Sequence, residues 1–135
     1  NKVKFAVKIF DYIHSVDSEK LAKKISDEKI KKNKKIKIFI QVNIGQEDQK
    51  SGTSVNELSS LISYCNKINL DVVGLMCIPP INEDPVSYFE KMKKLNEENK
   101  FNELSMGMSS DYLQAVDYSS TYLRIGSSIF GKRDQ

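Results

Sequence analysis

The feature that most constrains this chain is a change of hydrophobic period that recurs along its length. Short runs rich in β-branched residues alternate with longer runs whose apolar residues return every three or four positions. Val3, Ala6, Val7 and Phe10 follow the spacing of an amphipathic helix. Tyr12 to Val16 is a short extended segment, and Asp17 is placed to cap a helix carrying Leu21, Ala22 and Ile25 on one side. Ile36 to Ile44 (IKIFIQVNI) and Asp71 to Ile78 (DVVGLMCI) are apolar at most positions, the pattern of strands covered on both faces. Between them Gly45 to Thr53 reads as a polar loop. Ser54 with Glu57 then opens a helix whose stripe is Leu58, Leu61, Ile62 and Cys65. Pro79 and Pro80 stop the second strand, and Asp84-Pro85 starts a helix that buries Val86, Phe89, Met92 and Leu95. Glu103 to Met108 predicts a strand, Ser109 caps a helix with Tyr112, Leu113 and Val116, and Thr121 to Gly126 is the last strand.

The order is a helix, four strand–helix units and a final strand. That is the signature of an α/β chain with a parallel sheet. The pattern alone suits an open sheet and part of a barrel equally. With 135 residues the chain has room for one domain, 1–135, and is shorter than the roughly 200 residues of a complete (β/α)8 barrel. Its composition, 39% apolar and 29% charged, excludes disorder, collagen and coiled coil as descriptions of the whole.

Charge and cysteines narrow the function classes. The formal net charge of +3 is local: Lys29, Lys31, Lys32, Lys34, Lys35 and Lys37 fall in one acid-free stretch, and the rest of the chain is net acidic. This run has no aromatic residues for stacking and is not spread over a face. It reads as a solvated helix end, and no nucleic-acid partner is expected. Cys65 and Cys77 have neither metal-site nor dithiol spacing and read as small buried hydrophobes, a usage that suits a reducing cytoplasm. No apolar run approaches ~18 residues and no basic-then-apolar leader opens the chain, so no membrane role is expected.

In parallel α/β folds chemistry gathers at the C-terminal ends of strands. The last two strands here end in small residues: Leu104-Ser105-Met106-Gly107-Met108-Ser109, and Leu123-Arg124-Ile125-Gly126-Ser127-Ser128-Ile129-Phe130-Gly131. Glycine lets backbone N–H groups approach an anion, and hydroxyls add donors. Arg124 lies two residues before Gly126, on the same side of an extended strand, and places a cation near the same pocket. Two such turns on adjacent strands point to a phosphate site. Asn43, polar at the end of an apolar strand, is a candidate ligand contact. Met76, Met106 and Met108 read as core or pocket wall. His14 reads as a satisfied strand histidine, with no serine or cysteine nucleophile evident beside it. Glu47, Asp48 and Lys50 read as solvated loop residues.

At these turns the chain resembles the pyridoxal-phosphate homeostasis protein family, whose fold is similar to the N-terminal barrel domain of alanine racemase. The matching stretches are Ile13-His14-Ser15-Val16-Asp17, Val42-Asn43-Ile44, Lys50-Ser51-Gly52, Gly74-Leu75-Met76 and Ile78-Pro79, followed by the SMGMS and RIGSSIFG segments. The resemblance implies a parallel (β/α) barrel of the alanine racemase N-terminal type, incomplete here, with this chain supplying about strands four to eight. It implies pyridoxal 5′-phosphate as cofactor and a non-enzymatic role in vitamin B6 homeostasis. Ser105, Gly126 and Ser127 would hold the phosphate, Arg124 would sit near the pyridine nitrogen, and Asn43 and Met76 would line the pocket.

In this family a lysine at the end of the first barrel strand forms a Schiff base with the cofactor. Asn1-Lys2 resembles the segment just after the third strand, so that lysine region is expected to be missing from this chain. Weak, non-covalent binding and low stability of the chain alone follow as expectations, with strand edges left open. Two alternatives remain: a racemase- or decarboxylase-type enzyme of the same barrel class, and a generic phosphate-binding α/β domain.

Overall fold

The computed structural model describes residues 2–48 and 50–125. Among these residues α1 (Lys2–Ile9) leads into β1 (Tyr12–Val16), α2 (Glu19–Lys31), β2 (Lys37–Gln41), α3 (Val55–Lys67) and β3 (Asp71–Met76). Then follow α4 (Val86–Glu98), β4 (Glu103–Met108), α5 (Tyr112–Asp117) and β5 (Tyr122–Arg124). The strands form one parallel sheet in chain order, β1-β2-β3-β4-β5, which is the order of a barrel wall. It is a half-barrel with the helices outside.

The outer face of the sheet carries the main core. Ile38 and Ile40 of β2, Leu75 of β3, Cys77 just beyond it, and Leu104 and Met106 of β4 meet Ala22 and Ile25 of α2. The same cluster takes in Leu58, Leu61 and Cys65 of α3, Phe89 and Met92 of α4, and Ala115 of α5. Each fully buried side chain of this size contributes roughly 1.5–3 kcal/mol of transfer free energy. Asn96, also buried, ties α4 to the sheet. Its carboxamide accepts from the Leu75 N–H at 3.1 Å and donates to the Glu103 carbonyl at 2.9 Å.

The helix starts depart from the sequence reading in instructive ways. Ser54 caps α3 as predicted, its hydroxyl accepting from the Glu57 N–H at 3.2 Å. For α2 the cap is Ser18 and not Asp17, because the Asp17 carboxylate instead accepts the Gly52 N–H at 3.0 Å and pins the loop after β2. Pro85 itself occupies the cap position of α4, while Asp84 accepts the Val86 N–H at 3.0 Å. Asp111 and not Ser109 precedes α5, and its carboxylate closes a turn by accepting the Met108 N–H at 2.7 Å.

Two helices bury less than predicted. Phe10 lies past the end of α1 and is exposed, leaving Val7 as the buried residue of that helix. In α5 Leu113 and Val116 are exposed and Ala115 is buried. The reason is Gly107, which has φ +104° and no side chain: a Cβ there would lie 2.7 Å from the Ala115 methyl. The small pair draws α5 onto β4 along its alanine side, and its larger apolar residues turn outward.

Candidate functional site

The inner face of the half-barrel is built from different residues. Strand register aligns Phe39 with Gly74 and Glu103, and Gln41 with Met76, Ser105 and Tyr122. Gly74 gives Phe39 its space, since a Cβ there would meet the Glu103 carbonyl and the Phe39 ring. The curl of the sheet then brings side chains of β1 against those of β4 and β5. His14 stacks on Phe39 with ring centroids 4.2 Å apart and meets the edge of Tyr122 at 5.3 Å. Tyr122 also contacts Phe39 at 5.2 Å and Tyr12 at 5.5 Å. The Nδ1 atom of His14 is hydrogen-bonded to Ser105 Oγ at 2.8 Å, across from β1 to β4. The result is an aromatic wall with a histidine–serine pair set into it.

Arg124, at the end of β5, stands exposed near His14 and forms no ion pair among the described residues. Burial, with the Arg124 guanidinium adding to it, holds the imidazole below its ordinary value near 6.5. His14 is therefore neutral at pH 7. The hydrogen bond with Tyr12 pushes the Tyr122 hydroxyl up to about 12, so Tyr122 stays protonated at neutral pH. Lys37 lies 5.7 Å from the centroid of Tyr12, at the lower rim. A flat aromatic wall, neutral donors and an exposed guanidinium suit a planar ligand carrying negative charge.

The predicted site residues are partly brought together. Ser105 is fully buried on this face with Met76 and Tyr122 beside it in register, and Arg124 lies further along β5, opposite Met108. Asn43 uses its carboxamide within its own loop, donating to the Glu47 carbonyl at 2.7 Å and accepting the Glu47 N–H at 3.2 Å. Met106 belongs to the outer core and Met108 is exposed. Lys50 is exposed, as predicted. Gly126 and Ser127 lie outside the described residues. Cys65 and Cys77 are free and buried, and burial raises their thiols to about 11 and about 12. Sequence reasoning missed Tyr12, Phe39, Tyr122 and the part played by His14. The period-two placement of Tyr12 with His14, and of Tyr122 with Arg124, was the available signal.

A family model for the alanine racemase N-terminal domain matches residues 1–134. The chain belongs to the alanine racemase N-terminal domain family. Among its relatives in the family, the pyridoxal phosphate homeostasis protein of Aquifex aeolicus is 38% identical over 143 residues, covering 98% of this chain and 63% of the relative. The human protein of the same name is 38% identical over 138 residues, covering 90% of this chain and 50% of the relative. The chain thus spans about three-fifths of the length of several curated relatives it matches. PipY of Synechococcus elongatus PCC7942, solved with PLP bound, superimposes with a TM-score of 0.87 at 30% identity, over 97% of this chain and 66% of PipY. Alanine racemase of Clostridium difficile 630 shares the fold with a TM-score of 0.71 at 17% identity, over 98% of this chain and 37% of that enzyme. Among the described residues no helix is long and apolar enough to cross a membrane, and no cluster of metal-ligating side chains occurs.

Proposed function

We propose that this chain is the phosphate-binding part of a pyridoxal 5′-phosphate-binding protein of vitamin B6 homeostasis, a non-enzymatic carrier that works in the cytoplasm as a single domain. The observation that carries this reading is the Arg124 guanidinium, without an ion-pair partner among the described residues, beside the His14–Ser105 pair on an aromatic face. The fit is chemical: the cofactor is a flat pyridine ring with an anionic phosphate, and this face offers rings, a hydroxyl, an imidazole and a cation. Ser105, Gly126 and Ser127 would hold the phosphate, Arg124 would lie near the ring nitrogen, and Met76 and Asn43 would border the pocket. The relatives' shared name and the PLP-bound PipY structure support the assignment.

The bound cofactor supplies an electron sink, whose strength depends on protonation of the pyridine nitrogen. A guanidinium is a poor proton donor, so beside that nitrogen Arg124 would leave the ring a poor sink. This favours storage over amino-acid chemistry. The two free buried cysteines support a reducing compartment.

Equilibrium dialysis tests the reading. The chain should retain pyridoxal 5′-phosphate far better than pyridoxal, and Arg124→Gln should weaken retention about tenfold while the fold persists. Equal retention of the two vitamers would refute the phosphate site. Exchange of the α-proton of alanine in deuterated water would show an enzyme instead.

A further inference from the structure

On the outer side of the molecule, the lysines of α1 and of the end of α2 divide into two kinds. Some build the surface. The Asn33 N–H donates to the Ile30 carbonyl at 3.2 Å and the Lys34 N–H to the Lys29 carbonyl at 3.0 Å, around an Asn33 with φ +47°. That pair of bonds about a left-handed residue is a Schellman closure, and it fixes the turn that follows α2. The Lys34 ammonium crosses to α1 and donates to the carbonyls of Lys8 at 3.1 Å and Phe10 at 2.8 Å. Lys32 is held by Glu28 at 2.8 Å. These bonds set two walls at a fixed separation, with a cavity of about 760 Å³ between them. Small-molecule sites span roughly 300–1,000 Å³.

The other kind is left over. Lys4 and Lys8 line the same cavity, and their ammonium groups form no hydrogen bond or ion pair among the described residues. They lie one helical turn apart, where like charges repel and cost α1 stability. Phe5, also lining the cavity, is 64% exposed. The acids in reach are committed elsewhere: Glu28, whose charge Lys4 also feels, to Lys32 and to Lys31 at 3.8 Å, and Asp11 to Lys34 at 3.8 Å. A preformed hollow with two free cations, an open aromatic face and the Asn33 carboxamide is matched by a flat ring that carries charge on two adjacent anionic groups.

We propose that this cavity is a second ligand site, taking a nucleoside diphosphate. Its diphosphate lies between Lys4 and Lys8 and relieves their repulsion, and its base stacks on Phe5 with Asn33 at the base edge. The site is separate from the inner face of the sheet and does not depend on the cofactor reading. Pyridoxal 5′-phosphate carries its anionic charge on one phosphate group and bridges the two lysines less completely.

Equilibrium dialysis of the whole chain at low ionic strength, with ADP, AMP, pyrophosphate and pyridoxal 5′-phosphate as probes, tests this. ADP should saturate one site and bind more tightly than AMP or pyrophosphate. Lys4→Gln with Lys8→Gln should weaken ADP about tenfold. Phe5→Leu should weaken ADP about fivefold and leave pyrophosphate unchanged, because only the base meets the ring. Retention of pyridoxal 5′-phosphate should be the same in both variants. No saturable ADP binding, or ADP binding unchanged by the lysine substitutions, overturns the proposal. Equal losses of ADP and pyrophosphate in Phe5→Leu overturn the nucleoside assignment, and displacement of ADP by equimolar pyridoxal 5′-phosphate overturns the separation of the two sites. Failure to retain pyridoxal 5′-phosphate while ADP still binds counts against the cofactor reading alone. Lysine side-chain NMR on the unsubstituted chain covers the case of a variant that does not fold: ADP should shift Lys4 and Lys8, and unmoved signals at saturation would contradict the site.

Discussion

The two faces of one five-stranded sheet are made of different chemistry. Outward, β2, β3 and β4 present Ile38, Ile40, Leu75, Leu104 and Met106 to four helices, and the seam is apolar. Inward, the same strands present Phe39, Gly74, Met76 and Ser105, joined by Tyr12 and His14 from β1 and by Tyr122 and Arg124 from β5. Residues one step apart along a strand therefore serve different ends. Leu104 holds a helix to the sheet, while Ser105 holds a histidine. Stability is concentrated on the face where shape alone matters, and polar groups collect on the face that a ligand can reach.

Truncating the outer face should give the largest effect. Ile40→Ala and Leu104→Ala should each cost about 2–5 kcal/mol, read from urea midpoints. Ser105→Ala, one residue away, should cost about 1 kcal/mol while weakening ligand binding. If Ser105→Ala proved as destabilising as Leu104→Ala, the division between faces would fail. Asn96→Leu comes next. Removing its carboxamide leaves the Leu75 N–H and the Glu103 carbonyl without that partner, at about 1–3 kcal/mol.

The mildest test is pH. His14 has a lower pKa folded than unfolded, so it contributes stability above the unfolded value near 6.5. That contribution is lost as the pH falls from there through the folded value. The thermal midpoint should drop between pH 7.5 and pH 5.5, and His14→Phe should remove the His14 part of the drop. A pH profile identical in His14→Phe would show that the histidine is not strained by its surroundings.

The strands and helices were legible because their period is written locally. The apolar run from Ile36 to Ile44, and the Leu58, Leu61 and Cys65 stripe, need no knowledge of partners. Caps were legible only where no distant group competed. Ser54 caps α3, but Asp17 is drawn away by Gly52, 35 residues on. The inner site was half legible. Small residues after Leu104 and the cation at Arg124 marked the strand ends, and family resemblance named Ser105. The His14–Ser105 contact spans 91 residues and depends on the curl of the sheet, which no local pattern encodes. The aromatic wall was hidden for the same reason: Phe39 looks like its neighbours Ile38 and Ile40 until the faces are separated.

The most direct test is to locate pyridoxal 5′-phosphate on the chain by amide and side-chain NMR shifts. The structure offers a rival anion surface, a cavity of about 760 Å³ lined by Lys4, Phe5, Lys8, Lys32, Asn33 and Lys34 between α1 and the end of α2. If the inner face is the ligand face, the largest shifts will fall on His14, Ser105, Tyr122 and Arg124, and Lys4, Lys8 and Lys34 will stay still. Shifts confined to those lysines, with the inner face unmoved, would contradict the account.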